Sequence, residues 1–158
     1  MLSYKFIHTS QIYIGNDDMV VFTVLGSCVS VCLYDEKKKL SAMCHYLLPL
    51  WNNQGLASPK YGNIAIKTIL DEMLNIGCNK KNIVAKVFGG ASSNDLSHLS
   101  RQYLIGKNNI DIAKDILDKE KIKIVSQDVG GFKGRKIWLE PSSGKVRLKY
   151  SALLDETL

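Results

Sequence analysis

The sequence of 158 residues contains no apolar run approaching the ~20 residues that a membrane-spanning helix needs. Its opening, Met1-Leu2-Ser3-Tyr4-Lys5-Phe6-Ile7-His8, lacks the long apolar core of a secretory leader. Zinc-finger spacing, an aromatic-basic RNA-binding run, a P-loop and a dinucleotide fingerprint are all missing. No internal repeat or dividing linker interrupts the chain, so one domain over 1–158 is expected, with 151–158 a patternless tail prone to fray. These absences argue against membrane insertion and nucleic-acid binding. They favour a reducing cytoplasm in which Cys28, Cys32, Cys44 and Cys78 are free thiols.

What is present is globular in composition: 46% hydrophobic and 23% charged residues. The formal charge is +6, with lysines clustered at Lys37-Lys38-Lys39 and Lys80-Lys81. Such a surface is either simply solvated or complementary to an acidic partner.

The chemistry-bearing stretch runs from Thr23 to Asp35. An apolar, β-branched segment, Met19 to Leu25, meets a Gly26-Ser27 break that delivers Cys28. In the strand that follows, Val29, Val31 and Leu33 share one face, and Cys28, Ser30, Cys32 and Tyr34 the other. Asp35 to Lys38 reads as a hairpin loop and Lys39 to Leu48 as the returning strand. Pairing Tyr34 with Lys39 sets Cys28 opposite His45, with Cβ atoms ~4.5–5.5 Å apart. A slip of two residues keeps both on one face as diagonal neighbours, whereas a slip of one separates them. A thiol beside an imidazole is the minimum equipment of a cysteine nucleophile. An imidazole that takes the thiol proton would form a thiolate–imidazolium pair. A zinc site of Cys28, Cys32, Cys44 and His45 is disfavoured, because alternation turns Cys44 away from His45.

Elsewhere, residues 4–14 read as a weak strand, and Gly15 to Asp18 as a turn. His8 reads as an ordinary surface or half-buried histidine, Cys78 as a small buried residue and His98 as exposed. Pro49 to Pro59 is a polar loop, and Tyr61 to Ile76 an amphipathic helix closed by Gly77. Ile83 to Phe88 is a buried strand ending in Gly89-Gly90-Ala91, a place for a turn or a close backbone approach rather than a phosphate cradle. Ser92 to Tyr103 reads as a loop. A helix capped by Asn108 or Asn109 runs to about Glu120. Ile122 to Gln127, Arg135 to Leu139 and Lys145 to Tyr150 complete the strands. The class expected is α+β (mixed α/β): mixed sheets in a sandwich, flanked by two to three helices.

Several ordered segments resemble the chemoreceptor glutamine deamidase family, CheD. They are Leu25-Gly26-Ser27-Cys28-Val29-Ser30-Val31-Cys32-Leu33-Tyr34-Asp35, His45 with Leu48-Pro49, and Lys60-Tyr61-Gly62. Phe88-Gly89-Gly90-Ala91, Ile105-Gly106 with Asn109, and Asp128-Val129-Gly130-Gly131 with Gly134-Arg135 follow. The resemblance implies a cytoplasmic bacterial chemotaxis enzyme that converts glutamines of methyl-accepting chemotaxis receptors to glutamate without a cofactor or metal. It implies Cys28 as nucleophile, His45 as base, a fold like that of deamidating bacterial toxins, and the CheC phosphatase as a frequent partner. Backbone amides around Gly26 and Ser27 would hold the oxyanion. A deamidase-like binding module that regulates CheC or receptors without catalysis is the alternative. The family pattern places a threonine six residues before the cysteine, where Phe22 stands. Thr23, five before, is the candidate third member. Since one residue reverses the face of a strand, either a bulge restores Thr23 or another group orients His45.

Overall fold

The computed structural model describes residues 2–92 and 101–153. In chain order the elements are β1 (Ser3–Phe6), β2 (Ile12–Gly15), β3 (Met19–Leu25), β4 (Val29–Asp35), β5 (Leu40–Cys44), α1 (Gly62–Asn75), β6 (Ile83–Gly89), α2 (Arg101–Lys119), β7 (Lys123–Val129), β8 (Lys133–Glu140) and β9 (Lys145–Leu153). One sheet has the order β1-β3-β8-β9 and the other β2-β5-β4-β6-β7. Both are mixed: β1 runs parallel to β3 and β7 to β6, and the remaining neighbours are antiparallel. The α+β sandwich expected from the sequence is the observed architecture, with two α-helices among the described residues.

Strand alternation builds two cores. Val29, Val31 and Leu33 of β4 pack with Ala65, Ile69, Met73 and Leu117 beneath the helices. Cys32 of β4 and Met43 of β5 face the other way, onto Val21, Leu25, Ile137 and Leu139 of the facing sheet. Burial of these side chains on both faces makes the five-stranded sheet the central layer. Cys28 borders the core between the sheets.

Four sequence expectations change. Residues 4–14 are two strands in different sheets, because His8-Thr9-Ser10-Gln11 turns the chain and Ser10 adopts φ +74°. The hairpin pairs Asp35 with Leu40, not Tyr34 with Lys39. Asp35 stays in the strand, fully buried, and its carboxylate accepts from the amides of Lys37, Lys38 and Asn79. The loop of four therefore starts one residue later and the register moves by two. The second helix begins by Arg101, so Asn108 and Asn109 lie inside it and cap nothing. Residues 151–153 belong to β9. His98 and most of the loop expected at 92–103 lie outside the described residues.

Candidate active site

The site forms where the two sheets meet at the open end of the β4–β5 hairpin. Beyond β5, Val29 and Tyr46 still exchange backbone hydrogen bonds, at 3.2 and 3.0 Å. The register therefore sets Cys28 opposite Leu47 and Ser30 opposite His45. Cys28 and His45 are diagonal neighbours on the face directed at the other sheet. Cys44, one residue from His45, lies in the core beneath the helices.

Thr23 comes from that other sheet. β3 alternates Val21, Thr23 and Leu25 inward, all buried, while Phe22 points out among Tyr4, Phe6 and Lys136. The Thr23 hydroxyl donates to the Ile7 carbonyl at 2.7 Å and lies 2.7 Å from His45 Nδ1. Its one proton is committed to Ile7, so it accepts from Nδ1–H. His45 is thereby held as the tautomer with a free lone pair on Nε2. No bulge is involved: the chain crosses from one sheet to the other between Leu25 and Val29, and strand parity does not carry across the crossing.

The sequence reading missed Thr9. The turn holding it is tied to the site by Ser10 N–H donating to the His45 carbonyl at 2.8 Å. The Thr9 hydroxyl lies 3.5 Å from His45 Nε2, and it opposes the burial-driven rise of the Cys28 pKa. One hydroxyl thus bears on both the thiol and the imidazole. The polar run from His8 to Gln11, between two alternating stretches, was the available signal for this turn.

Burial governs the charges. It pushes the Cys28 thiol up, against opposing hydrogen bonds from Thr9 and from its own backbone amide. His45, 4% exposed, is driven down to about 4 by burial and the neighbouring His8, against the Ile7 carbonyl. Near neutral pH both groups are uncharged. The thiolate–imidazolium pair expected from proximity alone is not the resting state, because each charge would lose its hydration. Cys32 and Cys44 are pushed to about 12 by full burial and are inert at rest.

Glycines close the back of the site. Gly89, at φ +107°, lies so near Cys28 that a Cβ would stand 2.2 Å from the Cys28 carbonyl oxygen. The backbone approach expected for the Gly89-Gly90 pair is made here, with Gly90 N–H donating to Cys28 O at 2.9 Å. Among the described residues no group of three or more metal-ligating side chains converges, and no helix is long and apolar enough to cross a membrane.

A family model described as CheD chemotactic sensory transduction matches residues 47–150, starting just after His45. A probable chemoreceptor glutamine deamidase CheD of Sulfurimonas denitrificans is 56% identical over 146 residues, 92% of this chain and 93% of the relative. Proteins of the same name from Trichlorobacter lovleyi and Clostridium botulinum are 44% and 38% identical, over 90% and 86% of this chain and 88% and 85% of their own. The crystal structure of Bacillus licheniformis hypothetical protein YfiH aligns at a TM-score of 0.48 and 15% identity, over 74% of this chain and 49% of that one, too weak a likeness to bear on the site. With most of its length inside the family model and a relative matched nearly end to end, the chain belongs to the CheD family.

Proposed function

We propose that this protein hydrolyses selected glutamine side chains of methyl-accepting chemotaxis receptors to glutamate, in the cytoplasm, with Cys28 as nucleophile. The observation carrying this reading is the chain Ile7 O, Thr23 Oγ1, His45 Nδ1, with both contacts at 2.7 Å, which leaves Nε2 as a base toward the thiol. Relatives bearing the deamidase name supply the substrate class.

The resting pair is neutral, so proton transfer accompanies attack. Nε2 takes the thiol proton as sulfur bonds to the amide carbon, and the carbonyl oxygen becomes an oxyanion. Backbone amides of the Gly26-Ser27-Cys28 segment receive that charge. The intermediate collapses, the C–N bond breaks, and His45 returns the proton to the departing ammonia. Water then attacks the thioester while Nε2 accepts its proton. Collapse expels the sulfur, which regains that proton, and glutamate remains. Thr23 stabilises the transient imidazolium through Nδ1. CheC is the expected regulatory partner.

The test is Cys28→Ala. Mass spectrometry of receptor peptides should show no amide-to-acid conversion, and a variant that still deamidates would sink the reading. The burial of His45, only 4% exposed, favours one second reading, a binding module regulating CheC or receptors without catalysis. Full chemotaxis signalling by Cys28→Ala, with no ammonia release, would select it.

A further inference from the structure

Three consecutive carbonyls around the Gly-Ser-Cys break are captured by neighbouring elements. Gly26 O accepts from Ala91 N–H at 2.9 Å, and Cys28 O from Gly90 N–H at 2.9 Å. Between them, Ser27 O accepts from the Asn109 side-chain amide at 3.0 Å. The same Nδ2 donates to Leu47 O at 2.9 Å, and Leu47 is the residue opposite Cys28. Asn109 therefore ties together both chains at the open end of the hairpin. Both Nδ2 protons are committed in this way, the residue is fully buried, and its Oδ1 has no partner. Gly106, one turn earlier, permits the approach, since a Cβ there would stand 2.6 Å from Gly90 O.

In a trans peptide the C=O and N–H point in opposite directions, and no peptide here is cis. Holding Gly26 O and Ser27 O toward Ala91 and α2 turns the Ser27 and Cys28 amides the other way. Among the described residues neither amide donates to another backbone carbonyl.

We infer that Asn109 is the positioning residue of the oxyanion hole, fixing the Ser27–Cys28 peptide so that the two amides meet the oxygen of the attacked glutamine carbonyl. This rests on the reading of Cys28 as nucleophile. Asn109 touches no reacting atom. It acts by holding a donor whose misplacement weakens transition-state stabilisation more than substrate binding.

Asn109→Leu keeps a similar volume and removes both donors. Its kcat on a receptor glutamine should fall ~10²-fold, with KM and the rate of Cys28 alkylation by iodoacetamide unchanged. A folded variant with kcat within about threefold of wild type overturns the inference. A loss that also slows alkylation marks general collapse of the site and counts against it. Should the variant not fold, the wild-type chain serves, labelled with ¹⁵N and mixed with a receptor peptide carrying an aldehyde at the target carbonyl. Cys28 sulfur adds to the aldehyde carbon, and the thiol proton passes to the new hemithioacetal oxygen. The Ser27 and Cys28 amide protons should then shift downfield, and an adduct that leaves both in place overturns the inference. If no adduct forms and Cys28→Ala still deamidates, the nucleophile reading falls and takes this inference with it.

Discussion

The hydroxyl of Thr23 sits 2.7 Å from His45 Nδ1, across the interface of two sheets, and is itself fixed by the Ile7 carbonyl. Thr23→Val keeps the shape and removes the acceptor. Deamidation should fall at least about tenfold, since His45 loses both tautomer and orientation. Thr23→Ser should retain most activity. Near-wild-type turnover by the valine variant would show that another group orients the ring.

His45 supplies a pH dependence with a definite sign. Its folded-state pKa is about 4, below the ~6.5 of an unfolded histidine. The unfolded chain binds more protons between those values, so stability is full above ~6.5 and is lost as pH falls toward 4. The loss from this residue is on the order of 3 kcal/mol. Urea midpoints of wild type and His45→Gln should converge across that window. The acid limb of kcat/KM should lie well below pH 6.5, and a limb at an ordinary histidine pKa would contradict the burial argument.

Thr9 opposes the rise of the Cys28 pKa. Thr9→Val should slow iodoacetamide alkylation of Cys28 at neutral pH and move its pH profile upward, whereas Thr9→Ser should restore both. An unchanged profile in Thr9→Val would remove the hydroxyl from the machinery.

The four thiols should separate by environment. Cys28 is half-buried, while Cys32, Cys44 and Cys78 are buried. Brief alkylation of the native protein followed by peptide mapping should label Cys28 before the others, and urea should expose all of them. Early labelling of Cys32 or Cys44 would mean that the core opens more readily than its packing implies.

Gly89→Ala combines a left-handed backbone with a Cβ 2.2 Å from the Cys28 carbonyl. It should destabilise the fold by about 1–3 kcal/mol and displace Cys28, lowering both the urea midpoint and the alkylation rate. A variant as stable as wild type would show that the segment relaxes freely.

Much of the central layer was legible from strand alternation. The faces of β4 follow from Val29, Val31 and Leu33 against Cys28, Ser30 and Cys32, and the packing places them so. α1 was readable from its periodic apolar positions. The body of the second helix was readable in the same way, but its first turns were not, because Gly106 and the Asn108-Asn109 pair are poor helix interior residues. Tertiary contacts override that propensity: Gly106 lets α2 touch the Gly90 backbone, and Asn109 bonds Ser27 and Leu47.

The sequence by itself determined the parts: a cysteine at a strand break, a histidine on the returning segment, and inward faces set by period-two alternation. It could not determine their meeting. Register depended on one buried carboxylate, Asp35, whose three amide bonds carry the strand a residue further than the charged loop suggests. The position of Thr23 depended on which sheet holds β3. Counting residues from Cys28 assigns a face only within one strand, and the chain changes sheets before it reaches Cys28. Thr9, Thr23, Cys28 and His45 come from four separate segments, and only the packing of one sheet on the other brings their polar atoms together.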